Sequence, residues 1–311
     1  MELHPTMKLP ADLERKLEQL PLLPAVVSEI LDLDSDADDY FDRLLHVAER
    51  DPPFAIRVLR CANSAYSAPV TPIVSLRDAV MRLGTQQCAA LVLTLAVVKV
   101  FLPKSDAQRF LWIHSLQTAL FARMFCQRIP AMRRSAVEAY VCGLLHDIGR
   151  FVQFEGAPAD LSRVDDTHWA SPQELLEVER IALGYDHALL GWHACKKWSL
   201  PDTIGNVVRH HYDPVAADSN EPLNLIRIVQ SADALSVALT MKPELVTMSS
   251  VEFACRLAAE HPRIGVGFPA GIESSWQSCI PDLYEKSLVL ALQLHLLSSR
   301  TNEARSLSAS S

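Results

Sequence analysis

The sequence predicts an all-α protein. Apolar residues recur almost throughout at the three-and-four spacing of a buried helix face, strict alternation is scarce, and helix start and stop signals punctuate the chain at short intervals. With 49% apolar residues and only 10 glycines in 311, the chain can bury a sizeable core and has neither a disordered nor a fibrous composition. One large or two ordinary domains fit this length.

The elements follow in order. From Leu13 to Leu33 the helical spacing holds on both sides of Leu20-Pro21-Leu22-Leu23-Pro24, whose prolines mark a turn feeding a helix over about Ala25 to Leu33. The acidic run Asp34-Ser35-Asp36-Ala37-Asp38-Asp39 fails as a calcium loop, because Asp39 falls where an EF-hand needs Gly and Leu45 where it needs the bidentate Glu. It reads as a solvated loop capping the next helix. Asp51-Pro52-Pro53 opens a helix through Ile56, Leu59 and Arg60, ending near Asn63-Ser64-Ala65-Tyr66, where Asn and Ser hydrogen-bond locally. Ser75-Leu76-Arg77-Asp78 resembles a capping box with Asp in place of Glu, and Gly84 stops the helix it opens. The uncharged stretch from Leu83 to Val98, 16 residues closed by Lys99, falls short of the ~20 residues a bilayer needs. It is expected to be a buried helix reaching Phe101. Pro103-Lys104-Ser105-Asp106 breaks the pattern and marks the first internal boundary.

The second segment begins with helices over about Ala107 to Ile129 and Ser135 to His146, the latter stopping at Gly149. A polar loop from Glu155 to His168 leads to Ser171-Pro172-Gln173-Glu174, a capping box with Pro at the first helical position. Gly184 and the N-cap Asp186 divide that helix from the next, His187 to Trp198, which Pro201 terminates. Helices over about Asp202 to His211, Leu223 to Met241, Ser249 to Glu260 and Asp282 to Leu297 complete the pattern, the last two joined by a loop from Pro262 to Pro281. The expected organisation is an N-terminal helical lobe over 1–106, a second helical subdomain over 107–241, a C-terminal helical extension over 242–300 and a disordered tail over 301–311.

Composition narrows the function classes. With 37 acidic and 29 basic side chains the net charge is −8, which argues against binding bulk phosphate. Arg133-Arg134 and Lys196-Lys197 are isolated basic pairs that read as solvated helix faces, so neither nucleic acid nor membrane is an expected partner. Seven cysteines form no C-x-x-C pair, and no basic-then-apolar leader opens the chain, which points to a reducing cytoplasm. Cys126, Cys142 and Cys195 lie at apolar helical positions and read as buried structural thiols.

Metal chemistry is the idea the residues state most openly, through His114, the pair His146-Asp147, His187, the pair His210-His211, and Asp233. Each lies at a helix end or on a helix of the second segment. A first-row divalent ion needs imidazole nitrogens and carboxylate oxygens converging from several elements, and no zinc-finger cysteine spacing is offered nearby. Neighbouring residues on a helix point ~100° apart, so a His-Asp pair can place its imidazole on one ion and a bridging carboxylate between two. Taken singly, each residue reads equally well as a satisfied core or surface group; a vestigial or merely hydrogen-bonded cluster is the standing alternative. The remaining histidines, such as His193, form the background set.

His146-Asp147-Ile148-Gly149-Arg150 followed by His187, His210-His211 and Asp233 resembles the HD superfamily of metal-dependent phosphohydrolases. Leu22-Leu23-Pro24-Ala25, Asp51-Pro52, Leu59-Arg60-Cys61-Ala62-Asn63-Ser64-Ala65-Tyr66, Pro72-Ile73-Val74-Ser75-Leu76 and Leu83-Gly84 resemble its HD-related output domain branch, HDOD. Trp112 with His114-Ser115, and Leu183-Gly184-Tyr185-Asp186-His187 through Gly191, Trp198 and Leu200-Pro201, match as well. The resemblance spans about Leu20 to Asp233 and implies a bacterial, cytoplasmic, all-helical signal-transduction module: an N-terminal lobe packed on an HD-like subdomain, with no separate output domain. It implies one or two divalent ions (Fe, Mn, Ni, Zn or Mg) held by His114, His146, Asp147, His187, His210, His211 and Asp233. Function is expected through contacts with signalling proteins, gated by metal or nucleotide occupancy. The alternative is a phosphohydrolase acting on a nucleotide or other phosphoester, with Asp147 bridging the ions and Arg150 stabilising phosphoryl charge. Three departures separate the chain from the related HD-GYP phosphodiesterases of cyclic di-GMP. Tyr212-Asp213-Pro214 leads to no Gly-Tyr-Pro motif, Phe110 stands where some trinuclear members carry a Glu ligand, and Arg150 replaces a Lys.

Overall fold

A computed structural model describes residues 11–64, 69, 71–156, 164, 171–213, 224–248, 252–253, 278–294 and 296. Among them every regular element is helical and no strand occurs. The N-terminal portion carries α1 (Ala11–Gln19), α2 (Val26–Leu31), α3 (Tyr40–Glu49), α4 (Pro52–Ala62), α5 (Leu76–Leu83) and α6 (Thr85–Val100). The second portion carries α7 (Asp106–Arg128), α8 (Ala136–Leu145), α9 (Ile148–Gly156), α10 (Pro172–Leu183), α11 (His187–Lys197), α12 (Asp202–His210) and α13 (Leu225–Met241). Helix α14 (Ile280–Gln293) follows near the C-terminus.

The start and stop chemistry acts as its residues predict at most of these boundaries. Pro52 and Pro53 open α4, and Asn63 Nδ2 donates to the Leu59 carbonyl at 2.9 Å as it ends. Asp36 N–H donates to Asp34 Oδ1 at 3.0 Å, so the acidic run folds into a local turn, but Asp39 at the start of α3 makes no side-chain cap, contrary to expectation. Ser75 and Ser171 accept the N–H groups of Asp78 and Glu174, three residues on. Gly84, at φ +84°, separates α5 from α6, which bend 109° relative to one another. Gly184 ends α10 in the left-handed conformation at φ +83°.

One boundary carries a cap that the sequence reading did not name, and another differs from expectation. Ser105 forms a full capping box with Gln108, each side chain answering the other's backbone N–H, and starts α7. Gly149 is not a stop. It lies inside α9, which continues the chain as helix through Gly156 where the sequence predicts a stop at Gly149 and a loop from Glu155. A Cβ at Gly149 would come 1.9 Å from the His187 carbonyl oxygen and 2.9 Å from the Gly191 nitrogen. The glycine lets α9 cross α11 in backbone contact rather than ending a helix. The expected helix from Ser249 to Glu260, the loop from Pro262 to Pro281 and the tail from Thr301 fall outside the described residues, apart from 252–253 and 278–281.

Helix α7 is the axis. Sixteen of its 23 residues are buried, including Trp112, Phe121 and Phe125, and it packs against α8, α13 and α14. Burying each large apolar side chain contributes about 1.5–3 kcal/mol. Gly143 of α8 sits against the α7 backbone, where a Cβ would meet the Ala119 Cα at 2.8 Å. Helix α6 is buried on nearly every side between α2 and α8, and Thr94 meets the Tyr140 hydroxyl at 2.6 Å. Among the described residues no single helix is long and apolar enough to cross a membrane.

One continuous apolar core runs from Leu13 to Leu296 and joins the two portions. At their seam the Trp112 indole donates to the Phe101 carbonyl at 2.9 Å and stacks obliquely on Phe151, with centroids 4.5 Å apart. Trp198 donates to the Pro21 carbonyl at 2.8 Å. Helix α1 lies on α11, where the Lys16 ammonium donates to the Tyr185 hydroxyl at 2.5 Å. The basic pairs are engaged within the chain: Arg134 with Asp36, Lys196 with Asp202, and Lys197 with the carbonyls that end α1.

Candidate metal centre

Three helical junctions and two helix faces deliver the polar cluster. His114 projects from the middle of α7 and Asp233 from the middle of α13. His146 and Asp147 form the break between α8 and α9, His187 is the first residue of α11, and His211 follows the last residue of α12. Asp186 caps α11, accepting the Leu189 N–H at 2.7 Å, and is itself held by Arg180 at 2.8 Å. That cap and the Gly149–Gly191 crossing set His187 beside Asp147.

Every imidazole donates through Nδ1, leaving Nε2 to face the centre. His146 Nδ1 donates to the Gly143 carbonyl at 2.8 Å and His211 Nδ1 to the Val208 carbonyl at 2.8 Å. His187 Nδ1 donates to Glu179 Oε2 at 2.7 Å, and the same oxygen accepts the His187 backbone N–H at 2.7 Å. His114 Nδ1 donates to Ser236 Oγ at 3.0 Å, whose own proton goes to Gln117 Oε1 at 2.8 Å. Such bonds fix ring orientation and tautomer in metal-binding histidines.

The four Nε2 atoms form two halves around Asp147. On one side His114 and His146 bring their Nε2 atoms within 3.1 Å of each other; Asp147 Oδ2 lies 3.6 Å from His146, and Asp233 Oδ1 lies 3.2 Å from His114. On the other, His187 and His211 stand 3.4 Å apart at Nε2, with Asp147 Oδ1 at 3.3 and 3.5 Å. Two triads therefore share one carboxylate: His114, His146 and Asp147, and Asp147, His187 and His211. Asp147 Oδ1 and Asp233 Oδ1 are buried and accept no directed hydrogen bond. Converging imidazole nitrogens and undonated carboxylate oxygens suit a cation better than one another. The donor set, imidazole and carboxylate without thiolate, suits Mn, Fe, Ni or Zn, with Mg the poorest match to so many nitrogens.

The charges agree with this geometry. Burial opposes ionisation of Asp147, but His146, His187 and His211 around it hold its carboxyl well below the usual range. Asp233, also buried, is held low by His114. Burial pushes His146 down to about 4, helped by His114. Against the same burial, Glu179 and Asp147 on either side raise His187 to about 10, and Asp233 raises His114. Burial and the two aspartates push the Tyr212 hydroxyl well above its ordinary value, so it stays neutral.

Of the seven candidate ligands, six are brought together and one is not. His210 is the correction: its side chain is 43% exposed and its Nδ1 pairs with Asp213 Oδ2 at 2.7 Å. Consecutive residues at the end of α12 diverge by ~100°, so only one of the pair can face inward. His193 also lies outside, half-buried against Trp192. Arg150, half-buried on α9, lines a cavity of about 380 Å³ that also reaches His114 and Asp147. Sequence reasoning missed Glu179 and Ser236. Glu179 lies three and four residues beyond the buried Leu176 and Leu175, so it is a carboxylate on the apolar stripe of α10, and that position was the available signal. Ser236 follows Asp233 by three on the inward face of α13. The expected structural thiols are all buried, with burial raising Cys126 and Cys195 to about 12 and Cys142 well above its ordinary value.

An all-helical fold that gathers histidines and aspartates from helix ends and helix faces is that of the HD-related class of proteins. The chain belongs to the HDOD domain family, whose profile matches residues 20–214. An uncharacterized protein of Treponema pallidum (strain Nichols) is 24% identical over 221 residues, covering 70% of this chain, which spans only 42% of that relative's length. A solved protein of Shewanella amazonensis SB2B, whose name proposes a phosphohydrolase, superposes with a TM-score of 0.67 at 24% identity, over 91% of this chain and 98% of the other. An HDOD domain protein with unknown function from Geobacter sulfurreducens gives 0.64 at 24% identity, over 89% and 97%. A Marinobacter aquaeolei VT8 protein, whose name proposes signal transduction, gives 0.63 at 20% identity, over 93% and 63%. These likenesses establish the fold.

Proposed function

We propose that this HDOD protein is a regulatory, signal-transducing protein whose buried centre holds one or two divalent metal ions and captures a phosphoester, and whose occupancy is passed to protein partners. The observation that carries the reading is the convergence of four Nε2 atoms, each with its tautomer fixed from behind, on two carboxylates whose Oδ1 atoms accept no hydrogen bond. His114, His146, Asp147 and Asp233 would hold one ion and Asp147, His187 and His211 a second. Bound ions of this kind supply Lewis acidity and lower the pKa of coordinated water. The chain itself contributes the Arg150 guanidinium, which neutralises phosphate oxygens in the adjoining cavity, and the neutral Tyr212 hydroxyl beside it.

A ligand moves a conformational equilibrium only by binding one arrangement better than the other. The contact that makes transmission physical is Lys16 to Tyr185, because Tyr185 lies two residues before His187 and Lys16 belongs to the N-terminal helix. Occupancy that shifts His187 is thereby felt in α1.

A second reading, hydrolysis of the bound ester to alcohol and phosphate by addition of water, draws on one further observation: the cavity reaches both Asp147 and Arg150. Metal analysis by inductively coupled plasma mass spectrometry on tag-free protein tests the first reading. One to two ions per chain are expected, lost in Asp147→Ala and retained in His193→Ala and His210→Ala; sub-stoichiometric metal in the parent protein would overturn it. Phosphoester turnover lost in His146→Ala and Asp147→Ala but kept in His193→Ala would establish the enzyme. No turnover, with a partner that still binds those variants, would leave the regulator.

A further inference from the structure

Above the centre, the cavity changes character within one helical turn. Phe110 lies four residues before His114 on α7, and Val237 and Met241 lie four and eight residues after Asp233 on α13, so each shares the face of a candidate ligand. All three line the same cavity as His114, Asp147 and Arg150. The N-terminal end of α7 thus runs beside the C-terminal end of α13, with Phe110 and Val237 forming an apolar rung about 6 Å above the polar floor and Met241 a turn further out. Phe110, Val237 and Met241 are 50, 37 and 75% exposed, large apolar side chains left open to solvent at the mouth of a charged site.

We propose that the ligand of this centre is a phosphomonoester whose alcohol half is apolar, an aryl or short alkyl phosphate, with Phe110, Val237 and Met241 as the residues that select it. The inference rests on the phosphoester reading above and names its substrate class. Charge complementarity fixes the orientation: the phosphate goes to the floor, where Arg150 and the imidazole and carboxylate cluster lie. Size fixes the rest, since 380 Å³ holds a phosphate and one or two rings. Beyond the floor residues and Tyr212, Thr240 is the one polar side chain lining the cavity among the described residues. A ribose or a sugar placed against that wall would gain no hydrogen bond from it beyond Thr240, whereas an aryl or alkyl group covers the exposed apolar side chains. Inorganic phosphate would fill the floor and leave the wall uncovered.

The test compares 1-naphthyl phosphate, glycerol 2-phosphate and inorganic phosphate on the full chain loaded with Mn²⁺, by calorimetry, or by kcat/KM if the esters are turned over. The aryl ester is expected to bind at least tenfold tighter than the other two. The double variant Phe110→Ser with Met241→Ser, both at exposed positions, is expected to bring that ratio near one while metal content stays at the parent level. Equal binding of all three probes overturns the substrate class and leaves the metal–phosphate reading standing. A fully loaded centre that binds no phosphate at all overturns both. A preference that survives in the double variant, or 1-naphthol binding as tightly as its ester, also overturns the proposal, because the selectivity would then not come from this wall above this floor.

Discussion

The most consequential single residue outside the cluster is Glu179, fully buried and accepting two hydrogen bonds from His187. Glu179→Gln keeps the shape but removes the charge that orients and polarises the ring, and metal affinity is expected to fall 10–100-fold, as read by competition with a chromophoric chelator. The proton on His187 gives the centre a pH dependence whose sign is determined. A metal ion needs the Nε2 lone pair, whereas in the metal-free form Glu179 and Asp147 hold a proton on His187 up to about pH 10. Loading therefore releases protons, and affinity rises as pH rises through the neutral range; calorimetry in buffers of differing ionisation enthalpy counts the protons. Flat affinity between pH 6 and 9 would contradict this. At this scale the sequence was largely legible because imidazole and carboxylate pairs stand out against their neighbours. Which member of His210-His211 turns inward was not legible, because it depends on where α12 ends. The supporting Glu179 lay hidden because a single acidic residue on an amphipathic helix looks like any other.

Among elements, the crossing of α9 and α11 decides the geometry of the centre. Gly149→Ala places a Cβ against a backbone oxygen rather than a flexible side chain, so the helices must separate. A cost of about 1–3 kcal/mol is expected, visible as a lower urea midpoint, together with weakened metal binding because His187 moves with α11. The Ser105 capping box makes a contrasting case: Ser105→Ala removes a cap worth about 1 kcal/mol from a helix that carries His114 two turns further in. Its urea midpoint should fall while metal content holds. Most helices could be read from caps, prolines and spacing, since those signals are local. The continuation through Gly149 could not, because a glycine needed for close approach and a glycine that ends a helix look identical until the partner helix is placed.

For the molecule as a whole, the centre and the N-terminal helices form one mechanical system. Stripping metal with a chelator is expected to lower the melting temperature and to speed amide hydrogen exchange in 11–19, the segment fastened to Tyr185. In Tyr185→Phe, which lacks the hydroxyl that Lys16 grips, the exchange of 11–19 should no longer respond to metal. The all-helical class was readable from periodicity alone, while the way distant segments close over one another was not, for that depends on contacts between residues far apart in sequence. Those closures lie outside the family segment. Helix α1 precedes residue 20, and α13 and α14, which cover two faces of α7, follow residue 214. The stretch that the family profile matches is thus smaller than the stretch that folds. A piece trimmed to 20–214 would leave Asp233 behind and bare the α7 face that α13 and α14 cover, and is expected to unfold without a sharp transition. Transplanting this centre into another chain would require carrying its flanking helices along, because the profile-matched segment does not seal itself.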